Sequence, residues 1–372
     1  MKLGFFTMPM HPPGRDYTQT LKEDREAVLL ADRLGYCEAF IGEHITDVCE
    51  TIPSCLTFIA SVAHETKHIK LGSGTVNLPN NHPAQVAAHV AMVDHMLEGR
   101  FIFGIGPGGL RSDMEACGNL DADRNAMFVE SINQILALWA GDAPYDLKGR
   151  FWNISTGRTL IREAGQGVML KPYQKPHPKV YIVGTGSPET LQLAAERGFG
   201  YSSVFVPTTQ QVRSFYELRE KAAKYGHTIR PDQIIINAIV YVAESEEQAM
   251  REGKEHIVFF FEDALRTTPR FLAPPGYLTT DQLRKRMVAT ALHGKLDWDM
   301  MASQFRVVLA TPERVAEAIA HWVEEAESSR VVVHLHLGNM PHWKAVKNLT
   351  LFAEEVMPHI TRALTDPARI HE

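Results

Sequence analysis

Eight short segments rich in β-branched and aromatic residues recur along this chain, and longer stretches of helical period separate them. The segments are 2–7 (KLGFFT), 37–41 (CEAFI), 69–76 (IKLGSGTV), 101–105 (FIFGI), 179–183 (KVYIV), 200–206 (GYSSVFV), 233–242 (QIIINAIVYV) and 331–337 (VVVHLHL). Helical patterns lie near 18–34, 53–65, 83–97, 120–139, 188–198, 209–225, 245–261 and 312–327, with a last one near 342–363. Ser187-Pro188 and Thr311-Pro312 each set a cap and then proline at a first turn, while Gly35, Gly99, Gly198 and Gly226 follow helix ends. Near-continuous apolar strands alternating with amphipathic helices specify a parallel sheet covered by helices. Eight such units close into a (β/α)8 TIM barrel of the α/β class.

A barrel of this kind routinely fills 372 residues as one domain, so the expectation is a single unit over 1–372. Two stretches break the rhythm. Residues 141–178, with Gly149, Gly157, Gly165 and Gly167 and Pro172, Pro176 and Pro178, read as an insertion after the fourth unit, and residues 262–308, with Pro269 and Pro274-Pro275-Gly276, read as a candidate lid before the eighth strand.

Composition narrows the function classes. The net charge of −6 is spread along the chain, and no nucleic-acid motif is present, which argues against nucleic acid or an anionic membrane as partner. No apolar run approaches the roughly 18 residues of a membrane span, and the N-terminus lacks a secretory h-region. Cys37, Cys49, Cys55 and Cys117 form no CxxC pair, so reduced thiols and a cytoplasmic location are expected.

Chemistry is expected where Phe40-Ile41 gives way to Gly42-Glu43-His44-Ile45-Thr46. The end of a barrel strand is where a rigid sheet holds side chains and a loop leaves them open to substrate. His44 is the one side chain there that exchanges a proton near neutral pH without a large pKa shift. The competing reading is that Glu43 and His44 only satisfy the loop by hydrogen bonding.

Two motifs invite a metal. His64-Glu65-Thr66-Lys67-His68 matches H-E-x-x-H, but the strand pattern that begins at Ile69 puts the second histidine in a helix-to-strand turn, at the face opposite the active site. His334-Leu335-His336 places two rings on one face of the eighth strand, as metal ligands, as a ring lining a pocket, or as packed core. With no third ligand or acidic cluster, no metal is expected. Gly184-Thr185-Gly186-Ser187 follows the fifth strand and opens a helix, so its N–H groups either hold an anion or form an ordinary tight turn capped by Ser187. Gly104-Ile105-Gly106-Pro107-Gly108-Gly109 also follows a strand, but its proline and the absence of an acidic residue about 20 positions on disfavour a dinucleotide fold.

The ordered set ADRLGYCEAFIGEH, LGSGTVNLPNNHPAQ, MVDHMLEGRFIFGIGPG, KPHPKVYIVGTGSPETLQLAAERGFG, TPERVAEAI and LTLFAEEVMP resembles the bacterial luciferase-like family of flavin-dependent monooxygenases, nearly end to end. The resemblance implies a (β/α)8 barrel that binds reduced FMN at its C-terminal mouth, or a deazaflavin in one branch. It implies that His44 handles a proton beside a flavin hydroperoxide, and that Gly74 and Thr75 lie under the isoalloxazine ring with Asn77 following. It further implies that Gly184, Thr185, Gly186 and Ser187 hold the FMN phosphate, and it places Asp113 at a family acidic position. Luciferases carry a second histidine where this chain has Ile45, and a cysteine and an arginine where it has Gly106-Pro107, which points to the terpene-type two-component oxygenases and leaves Arg111 or Arg124 as the replacement cation.

The reaction so implied is oxygenation of a small apolar organic substrate by O2, with reduced flavin diffusing from a separate NAD(P)H:flavin reductase and a homodimer as the default assembly. Phe6, Met8 and Phe205 suggest an apolar pocket, although plain core is the competing reading. The alternatives are deazaflavin-dependent hydride transfer and a non-catalytic flavin binder.

Overall fold

In the computed structural model, β1 (Lys2–Thr7) runs parallel to β2 (Glu38–Ile41) on one side and to β12 (Arg330–His334) on the other, with Gly4 opposite Glu38 and Lys2 opposite Arg330. The structure describes residues 1–7, 10–184, 187–204, 206–261 and 298–360. From β2 the sheet continues through β3 (Lys70–Ser73), β5 (Phe101–Gly106), β8 (Lys179–Gly184), β9 (Gly200–Ser203) and β10 (Ile234–Val242), which returns to β12. The result is a closed parallel barrel of eight strands, the (β/α)8 architecture the alternation predicts.

Helices α1 (Tyr17–Arg33), α2 (Cys55–Val62), α3 (Pro83–Met96), α5 (Arg124–Ala140), α6 (Pro188–Arg197), α7 (Thr208–Lys224), α8 (Glu246–Phe259), α10 (Pro312–Glu325) and α11 (His342–Leu351) connect and cover the strands. Their starts are set chemically. Asp16, Ser54, Asp123, Ser187 and Ser245 each accept a hydrogen bond from a backbone N–H in the first turn, and Gly198 ends α6 in the left-handed conformation.

Strand alternation sorts the core into two layers. Phe5, Ala39, Ile41, Leu71, Phe103 and Ile182 face outward into the helix layer, whereas Phe6, Phe40, Ile102, Tyr181, Ile235 and Val332 fill the barrel interior. At the base of that interior the carboxylate of Glu38 pairs with both Nε and Nη2 of Arg330, whose Nη1 donates to the Tyr181 hydroxyl. Glu38 and Arg330 are buried, so the charge of each is compensated chiefly by the other.

Several boundaries differ from the pattern-based expectation, each for a local reason. The segment 69–76 is two strands, β3 and β4 (Val76–Asn77). Ser73 Oγ donates to Gly104 C=O at 2.7 Å and accepts from Gly104 N–H at 3.0 Å, occupying the groups that the ladder would otherwise use. The segment 331–337 stops at His334 because Asn348 of α11 takes the Leu335 carbonyl, and the same side chain bonds Val240 C=O and Val242 N–H. The segment 200–206 ends at Ser203, whose carbonyl goes to Gln211 and Asn237.

Three further elements carry no clear pattern in the sequence. Short α4 (Arg111–Ala116) precedes α5, and α9 (Trp298–Gln304) leads into β11 (Val307–Ala310). Strand β10 is nine residues long against four in β9, so its upper edge is free, and β11 fills that edge with Val307 opposite Ile239. Within the candidate lid, 298–308 is therefore helix and barrel-edge strand, and 262–297 lies outside the described residues. The insertion 141–178 contains an antiparallel hairpin of β6 (Asp146–Lys148) and β7 (Asn153–Ser155), whose turn is held by Glu130 accepting from the N–H groups of Arg150, Phe151 and Trp152. No described helix is long and apolar enough to cross a membrane.

Candidate active site

The loop that leaves β2 folds back at the barrel's C-terminal rim: Gly42 N–H donates to Thr7 C=O and His44 N–H to Ile52 C=O. This turns the His44 ring between two carboxylates. Nδ1 lies 2.8 Å from Asp113 Oδ2, and Nε2 lies 3.3 Å from Glu50 Oε2. Asp113 belongs to α4 and is 1% exposed; its Oδ1 accepts from Ile45 N–H, Thr46 N–H and the Thr46 hydroxyl. Glu50 is 2% exposed, whereas the His44 side chain keeps 19% of its surface open.

A neutral imidazole has one N–H, and a ring flanked by an anion at each nitrogen gains from a second. Burial works against a charged His44, but Glu50, then the Asp113 hydrogen bond and charge, and then Asp47 outweigh it and raise the pKa to about 9. Burial raises Glu50 to about 7, opposed by His44 and reinforced by Asp47, Asp113 and Glu43. Asp113 is held below the ordinary carboxylate range because His44 and Thr46 offset its desolvation. A pKa of about 9 favours the imidazolium form of His44 at neutral pH.

Glu43 is structural in its contacts. One carboxylate oxygen accepts from Asn77 N–H at 3.0 Å and the other from the Cys55 N–H and thiol, so the buried side chain ties the His44 loop to β4 and to α2. Thr75 donates through its hydroxyl to Asn77 Oδ1 at 2.9 Å, and the Gly74–Thr75 peptide is cis. The glycine loop after β5 packs on this turn. A Cβ at Gly106 would stand 2.9 Å from Thr75 Oγ1, and one at Gly108, where φ is +78°, 2.9 Å from Arg124 and 3.4 Å from Asn77. Arg124 bonds Pro107 C=O, Asn119 and Asn80, leaving its buried Nε without a hydrogen-bond partner.

Gly184 ends β8 on the same rim, and Ser187 caps α6 through a bond from Thr190 N–H at 3.3 Å; Thr185 and Gly186 lie outside the described residues. So do Met8 and Phe205, while Phe6 is buried with its ring centroid 4.7 Å from that of His334. His334 and His336 are buried, and burial lowers both to a pKa of about 3, so both rings are neutral. His336 has left the strand and meets the ring of His11, whose Nε2 sits 3.1 Å from Asp24. His64 and His68 follow the end of α2 rather than lying on it. Among the described residues no cluster of three or more ligating side chains could hold a metal.

Comparison with known proteins decides the family. The model of the luciferase-like monooxygenase family matches residues 1–328. The chain belongs to the luciferase-like monooxygenase family. Its enzyme class, read from the sequence as monooxygenase, holds with that membership. Among the relatives in this family, limonene 1,2-monooxygenase of Rhodococcus erythropolis is 28% identical over 96% of this chain and 86% of its own. The 4-hydroxyprotoasukamycin monooxygenase of Streptomyces nodosus subsp. asukaensis is 31% identical over 67% of both chains. Among solved structures, the oxygenating constituent of 3,6-diketocamphane monooxygenase from Pseudomonas putida, a type II Baeyer–Villiger monooxygenase in complex with FMN, superposes with a TM-score of 0.80. It is 25% identical, covering 97% of this chain and 99% of that one.

Proposed function

We propose that this luciferase-like monooxygenase uses O2 and reduced FMN to oxygenate a small apolar organic substrate, and that a separate NAD(P)H:flavin reductase supplies the flavin by diffusion. The observation that carries the reading is the Glu50–His44–Asp113 array, a partly exposed imidazole between two buried carboxylates at the mouth of a family-matched barrel. Relatives that are named as oxygenase components, among them the trigonelline enzyme of Acinetobacter baylyi, support the two-component arrangement.

The residues present fit FMN. Ser187 at the N-terminus of α6, with Gly184, Thr185 and Gly186, would take the phosphate. The unpartnered Nε of Arg124 adds a buried cationic donor on the glycine side of the rim. Gly74, Thr75 and Asn77, braced by Glu43, would support the ring system. Bound reduced FMN supplies the electrons that activate O2. His44 holds a proton on Nε2, the ring nitrogen that faces Glu50, and gives it to, or takes it from, an oxygen atom that changes charge beside the ring. The interior aromatic layer excludes water from beneath that point. A cytoplasmic homodimer is the assembly this reading adopts, in line with four free cysteines.

The test is an anaerobic titration with reduced FMN, followed by 18O2 and mass spectrometry on a panel of cyclic terpenes and ketones. Binding of reduced FMN with one 18O atom in product supports the reading. Binding of a deazaflavin in place of FMN, with no 18O incorporation, would replace oxygenation by hydride transfer.

A further inference from the structure

His44 meets its two carboxylates unequally. Asp113 is the nearer, but its Oδ1 already accepts from two backbone N–H groups and a hydroxyl, and hydrogen bonds to the charged form make a carboxylate a poor base. Among the described residues Glu50 receives no comparable support: no backbone N–H or hydroxyl donates to its carboxylate, and only His44 faces it as a cation, at 3.3 Å. The charged groups around Glu50 besides His44 are Glu43 and Asp47 from its own loop and Asp113 from α4, and its backbone pairs with Met10 as an isolated bridge. One Glu50 oxygen would lie 2.7 Å from a Cβ at Gly42, so a larger residue there would push the carboxyl out of place.

We propose that Glu50 is the proton partner of His44 and a positioning residue for the reaction: Nδ1–H is fixed on Asp113, and the exchangeable proton of the ring is the one on Nε2, shared with Glu50. In the exchange the Nε2–H bond breaks and an O–H bond forms on Glu50 Oε2. An imidazolium and a carboxylate become a neutral Nδ1–H imidazole and a carboxylic acid, with no change in total charge. The anionic charge of Asp47, Asp113 and Glu43 favours keeping that proton within the pair. The charge of His44 then depends on Glu50 in the protein without cofactor, while the use of that proton in oxygenation rests on the function proposed above.

The test is ring 15N NMR of the full chain labelled at histidine, with His44→Gln to assign the His44 signals. At pH 7 both ring nitrogens of His44 carry protons, and on raising the pH Nε2 deprotonates while Nδ1 stays protonated. Glu50→Gln, which keeps the shape and removes the charge, lowers the proton affinity of His44 by about tenfold or more and retains the Nδ1–H tautomer. Loss of the Nδ1 proton first in the wild-type protein overturns the proposal, as does a folded Glu50→Gln protein whose His44 titrates as in wild type. The wild-type order of deprotonation can overturn the proposal even if the variant does not fold. No flavin is required, so a failure here is distinct from a failure of the oxygenase reading.

Discussion

The Nδ1 atom of His44 lies 2.8 Å from Oδ2 of Asp113, across 69 residues of sequence. That bond joins the loop after the second barrel strand to α4 and fixes one edge of a partly open ring at the rim. Asp113→Asn removes the anion and leaves one acceptor oxygen in place of two, so the alkaline limb of the kcat profile should move to lower pH from near the His44 value of about 9. A kcat loss of about tenfold or more accompanies it. A pH–rate profile of the variant measures both.

His44→Ala removes the proton-handling group but none of the residues assigned to FMN. Oxygenated product should fall by roughly 10²-fold or more while reduced-flavin affinity stays within about twofold. Unimpaired oxygenation by this variant would end the assignment of His44.

Gly104 is the position where a side chain is least possible. A Cβ there would stand 1.9 Å from the Ser73 carbonyl, which is backbone and cannot turn aside. Gly104→Ala should destabilise the protein by about 3 kcal/mol or prevent folding. Gly109→Ala, whose Cβ meets nothing within 4 Å, should change stability by no more than about 0.5 kcal/mol. Urea denaturation of the pair separates the two effects.

Arg330→Met leaves the buried Glu38 carboxylate without its cation. The expected cost is about 3–5 kcal/mol. Joint replacement of Glu38 and Arg330 by apolar residues should recover most of it, and a double-mutant cycle by chemical denaturation reads the difference.

Asp32 supplies a pH dependence on the acid side. Burial disfavours its charge, but the N–H groups of Ile69, Lys67 and His68 more than offset this and hold its pKa below the usual value. A depressed folded pKa means that the contribution to stability is present above the unfolded pKa and is lost as pH falls through the folded one. Asp32→Asn should therefore cost stability at pH 7 and much less at pH 3, as measured by thermal melts at both.

Residue types and periods were enough to identify the eight barrel strands, because runs such as IIINAIVYV and VVVH can satisfy their apolar surface only between helices. Strand β11 was hidden because VVLA is four residues long and follows an arginine, and its place depends on the unequal lengths of β9 and β10. His44 was legible from its position at a strand end. Glu50 was not: it sits in DVCET, without periodicity, and comes to His44 only because the loop folds back and pairs with Met10. The charge state of His44 was equally hidden, since it depends on carboxylates whose distances no spacing rule supplies. His336 misled in the other direction, because the alternation of HLH continues past the point where Asn348 ends the strand.

The pairing of β1 with β12 carries a consequence for biosynthesis. Lys2 is made long before its register partner, Arg330. Until that partner leaves the ribosome, β1 can pair only with β2, and one edge of a hydrophobic strand stays open to other chains. The nascent barrel thus remains an unsealed sheet until β12 has been made, so production in the cell is governed by the shielding of that edge as much as by the stability of the finished fold.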